Sequence, residues 1–147
     1  MTIEQFSGII ETCKIAGWDY YASGDRNSYN RVKQTVDNTM ILVLPSDYPT
    51  WYRGECSQPI SFEIWLGEKR NIKQTTTGTQ QHNPDSPIEQ RDIMMAYAKT
   101  ILQSISEADH ILLLEAPIAT FYDAPEGQSV NAQMWLKIPI KAKIIKQ

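Results

Sequence analysis

Histidine, cysteine and glycine are all scarce in this chain, and each shortage closes off a class of chemistry. The two histidines, His82 and His110, stand alone, one in a polar stretch and one at the head of an apolar run. No H-x-x-x-H pair, phosphate-cradling glycine loop or G-x-S-x-G elbow occurs. With seven glycines in 147 residues, few loops would let a phosphate come close to the backbone. Cys13 and Cys56 fall outside any metal-ligand or redox-motif spacing and read as free thiols of a reducing compartment. A Cys56/His82 or Cys56/His110 dyad has nothing local to support it, and Asp19, Asp25, Asp37 and Asp47 sit where carboxylates ordinarily bond to turn backbone. These absences lead to an expectation of no catalytic residues, no metal site and no cofactor.

Long apolar runs are missing as well. No stretch approaches the roughly 18 residues of a membrane span. The opening MTIEQFSGIIETCKIAG is too polar for a signal peptide, so synthesis inside a cell without membrane contact is expected. A composition of 41% hydrophobic and 21% charged residues is that of a globular protein, and the length suits one domain over residues 1–147. The net charge of -3 argues against a generic nucleic-acid binder. It is nevertheless uneven: from residue 131 onward there are four lysines (Lys137, Lys141, Lys143, Lys146) and no acid.

Periodicity supplies the elements. Thr2 and Gln5 have capping-box spacing, and Ile3, Phe6, Ile9, Ile10 and Cys13 recur as one helical face, so a helix is predicted from about 2 to 16. Trp18 to Ala22 reads as a short strand, and Met40 to Leu44 as a strand buried on both faces. Tyr48, Trp51 and Tyr52 then fall in an aromatic loop punctuated by Pro49 and Gly54. Ile60, Phe62, Ile64 and Leu66 alternate with Ser61, Glu63 and Trp65, the pattern of a strand covered on one face. Residues 67–87 contain a single large aliphatic and are predicted to form a long polar loop or a hairpin arm.

Ser86-Pro87-Ile88-Glu89 combines an N-cap, a first-turn proline and a capping glutamate. It opens a helix to about 107 whose apolar face carries Met94, Met95, Ala98, Ile101, Leu102 and Ile105. Ile111 to Leu114 is another all-apolar strand, Pro117 begins an irregular or edge segment, and Asp123 to Gly127 form a turn. SVNAQMWLKIPIKAKI, residues 129–144, then alternates over its whole length, with Trp135, Lys137, Lys141 and Lys143 on the face opposite the aliphatics. The order is α-β-β-β-α-β-β. The fold class expected is α+β, a mixed or antiparallel sheet with two helices packed on one face.

The terminal alternation poses the functional question. A strand of that length extends roughly 50 Å, beyond the width of a globule this size, so it bends at Pro139 or projects. Lysines and a proline suit an exposed edge strand that resists aggregation. Trp135 among lysines would also suit a base-stacking, phosphate-neutralising platform. A third reading is a strand completed by a neighbouring subunit.

The element order, together with SPIEQRDIMMAYAKTILQSI, FYDAPEGQ and MWLKIPIKAKI, resembles the small head-to-tail joining proteins of tailed bacteriophages, in particular the tail terminator or tail-completion type. That resemblance implies a structural protein without an active site, whose copies form a ring, commonly of six, between the capsid connector and the tail. It implies a location in the virion neck or tail after synthesis in the host cytoplasm, with adjacent connector and tail proteins as partners and passing contact with DNA in the lumen. The candidate subunit or lumen contacts are Trp51, Tyr52, Lys73, Thr76, Trp135, Lys137 and Lys141. The long terminal alternation equally suits a neck or tail ring outside the terminator type. The alternatives from other classes are a small acidic protein-binding module, such as an immunity or regulatory protein, and a nucleic-acid-binding module using the lysine strand. An unassigned hydrolase comes last.

Overall fold

The computed structural model of the chain describes residues 2–23, 38–48, 59–69, 87–123 and 133–144. Helix α1 spans Ile3–Thr12, and its start follows from side-chain chemistry. The Gln5 N–H donates to Thr2 Oγ1 at 3.1 Å, and the Thr2 N–H donates to Gln5 Oε1 at 2.8 Å, a complete capping box. This satisfies donors that a helix N-terminus otherwise leaves open. The helix is shorter than its apolar spacing predicts. Cys13 and Lys14 donate to Ile10 and Glu11, tightening the last turn. The Trp18 N–H then donates to the Ile15 carbonyl across a turn in which Gly17 adopts φ +85, a value that side chains with a Cβ rarely tolerate.

Strands β1 (Asp19–Ser23), β2 (Thr39–Val43) and β3 (Pro59–Lys69) precede helix α2 (Pro87–Glu107). Strands β4 (Ile111–Leu113), β5 (Thr120–Asp123) and β6 (Gln133–Ile144) follow it. The six strands form one mixed sheet in the order β1-β2-β3-β6-β4, with β5 on the same side of β6 as β4. Only the β1–β2 pair is parallel. Because β4 and β5 run consecutively along one flank of β6, they act as a single interrupted edge strand, and the expected order α-β-β-β-α-β-β holds in that sense.

Both helices lie on one face. Their residues Phe6, Ile10, Met94, Ala98, Ile101 and Ile105 share a core with Met40 and Leu42 of β2, Ile60 to Leu66 at alternate positions of β3, and Leu136 to Ile144 at alternate positions of β6. Burying each such aliphatic contributes about 1.5–3 kcal/mol. Edge-on aromatic contacts fix the layers: Phe6 meets Phe62 at 5.1 Å, and Trp18 meets Tyr97 at 5.0 Å. The aliphatic face of the terminal alternation therefore packs where its pattern directs.

The opposite face is less open than its polar residues imply. Ile41, Val43, Trp65 and Trp135 form a second buried cluster there, so the centre of β3 is covered on both faces rather than one. Gly67 stands opposite Trp135 in the β3–β6 ladder, and a Cβ at residue 67 would fall 2.6 Å from the Trp135 ring. The missing side chain makes room for the indole.

Strand β6 is neither an edge nor a projection. All of β3, from Pro59 opposite Lys143 to Lys69 opposite Gln133, pairs with it. At about 3.3 Å per residue the pair forms a ribbon about 40 Å long that serves as the spine of the sheet. Pro139 is tolerated inside because of where its backbone points. The Leu114 N–H donates to the Lys141 carbonyl at 3.0 Å, so Lys141, and by alternation Pro139, turn their backbone groups toward β4 and β5. The proline thus costs no bond to β3. Opposite it the edge chain leaves the ladder: Leu113 to Thr120 advances seven positions while their partners, Ala142 to Lys137, advance five. The two extra residues form a bulged segment over 114–119.

Candidate interaction surface

The bulged segment organises the exposed surface. β4 sits at the sheet edge, so only Ile111 of its apolar run is buried, while Leu112 is 50% exposed and Leu114 is also exposed. Ile118, beyond Pro117, is 82% exposed, the most exposed large hydrophobic among the described residues. Met95 on α2 adds a further exposed thioether at 46%. An isoleucine held this far in water, on a segment that follows the exposed Leu112 and Leu114, makes the segment a candidate contact surface.

A depression lies on each flank of segment 114–119. On the helix side, a groove of about 880 Å³ runs between α2 and the segment, floored by Ala98, Leu102 and Ile138, with Lys99 on one wall and Glu115 on the other. On the far side, a smaller groove of about 480 Å³ is bordered by Glu63, Lys141, Pro139 and Ile118. Ile118 borders only the far groove and Ala119 only the helix-side groove, so the segment is a wall with a different surface on each side. Arg91 on α2 stands over the Phe121 ring at 4.9 Å and ties the helix to β5 beyond this wall.

The candidate contacts read from the sequence separate into three groups. Trp51, Tyr52, Lys73 and Thr76 lie outside the described residues. So does most of the predicted polar arm, although β3 takes up its first three residues, Gly67–Lys69. Trp135 is 2% exposed within its own chain, packed with Trp65, and its ring is not presented for base stacking. Lys137 is 22% exposed and pairs with Glu63 at 3.2 Å. Lys141 is exposed and borders the far groove next to Ile118. The strand's polar face is thus an inner cluster, an ion pair and an exposed lysine rather than one continuous basic stripe.

Leu112, Leu114 and Ile118 were not singled out by sequence reasoning, and Met95, assigned by its spacing to the apolar face of α2, is instead exposed at the margin of that face. An all-apolar run does not reveal which of its members a sheet edge leaves in water, although Pro117 does signal an edge or irregular segment.

Elsewhere, Cys13 is buried with its thiol directed to the Ile9 carbonyl at 3.4 Å, and burial raises its pKa above the ordinary thiol value. The Tyr20 hydroxyl bonds to Ser7 Oγ at 2.8 Å, and its pKa is likewise raised, by burial first and by the charge of Glu11. Among the described residues no group of three or more His, Cys, Asp or Glu could hold a metal ion, and no helix is long and apolar enough to cross a membrane. Compared with known protein families and with curated protein sequences, the chain matches none.

Proposed function

We propose that this chain is a non-enzymatic structural subunit that assembles into a ring at the head–tail junction of a tailed bacteriophage, as a tail terminator or another neck or connector ring. The observation that carries the reading is the set of large apolar side chains left exposed along β4 and segment 114–119, Leu112, Leu114 and Ile118. Such a surface is unfavourable on a lone globule and is stabilised when a partner covers it. The resemblance implies a helix before a set of strands, a long helix packed on the sheet and a final hairpin, and the reading draws support from α1, three strands, α2 and the antiparallel β5–β6 pair.

In this reading the partners are further copies of the chain and the adjacent connector and tail proteins, and the site is the virion neck or tail. The same apolar edge would also serve a small acidic module that binds a different protein. The nucleic-acid reading loses its stacking platform, because Trp135 is buried and Lys137 is paired with Glu63.

Light scattering on the purified chain, alone and with capsid-connector or tail particles, separates these outcomes. A single closed multiple of the 16.8 kDa chain mass, or uptake onto the particles as a fixed number of copies, is expected. A persistent monomer that joins neither particle removes the assembly reading. A one-to-one complex with an unrelated protein selects the binding module.

A further inference from the structure

We draw no further inference here: the strongest candidate, the apolar groove of about 880 Å³ between α2 and segment 114–119, already holds both Lys99 and Glu115 on its own walls, and nothing in the structure shows what covers it.

Discussion

Replacing Gly67 with alanine should destabilise this protein, opposite in sign to what such a change does in most strands. Glycine inside a strand ordinarily weakens it, and alanine is expected to recover about 0.5–1 kcal/mol. At residue 67, however, the new Cβ would lie 2.6 Å from two carbons of the Trp135 ring and 2.9 Å from a third. That ring is 2% exposed and packs with Trp65, Ile41 and Val43, so it has little freedom to yield. Overpacking of this kind costs about 1–3 kcal/mol, which set against the backbone gain leaves a net loss of up to about 2.5 kcal/mol. Urea denaturation followed by circular dichroism would register a lower midpoint with an unchanged slope. Thermal melting should fall by about 2–4 °C for each kcal/mol lost in a chain of this length. The companion experiment is the same substitution in a Trp135→Ala background. Trp135→Ala alone should cost about 3–5 kcal/mol, and with the ring gone Gly67→Ala should become neutral or stabilising. If Gly67→Ala stabilised the wild-type chain, or acted alike in both backgrounds, the Gly67–Trp135 register and the second core would both be wrong.

Three further perturbations follow from named atoms. Pro139→Ala should change stability by less than about 1 kcal/mol, since the restored N–H points into the bulge, whereas Ile140→Pro should cost about 3 kcal/mol or more through loss of a bond to β3; urea midpoints decide it. Lys137→Ala should cost more than Lys141→Ala, because it strips a cation from the buried Glu63 carboxylate, while the exposed Lys141 should stay within about 0.5 kcal/mol. Stability should decline on the alkaline side. The folded-state pKa values of Cys13 and Tyr20 are raised, so their contribution is fully present below the ordinary values of 9.0 and 10.0 and is lost as pH rises through the folded values. Urea midpoints measured across that range should fall, with a shallower decline in Cys13→Ala; an unchanged profile would contradict the burial of that thiol.

Local chemistry made much of the fold readable in advance. The Thr2 and Gln5 capping box, the Pro87 helix start and the doubly buried run of β2 each depend on neighbours in the chain, and each appears in the structure. The aliphatic face of β6 and the apolar face of α2, except for the exposed Met95, meet in one core, as their periods require. What was not readable depends on partners distant in sequence. Alternation in β6 is the same for an edge strand and an inner strand, so the position of Pro139 became clear only from the hydrogen bond between Leu114 and Lys141. Trp135 looked like a surface aromatic among lysines because nothing local shows that Gly67 stands opposite it. The exposed strip posed the reverse problem: Leu112 and Ile118 are as apolar as core residues, and only the sheet edge leaves them in water. Of the seven candidate contacts, Lys141 alone both lies within the described residues and is exposed, and it borders the groove next to Ile118.

Electron micrographs of the purified chain, alone and incubated with connector or tail particles, test the ring most directly. Annular particles of one diameter with a fixed rotational order are expected. Fields of single 16.8 kDa chains under every condition, with no density added to either particle, would contradict it.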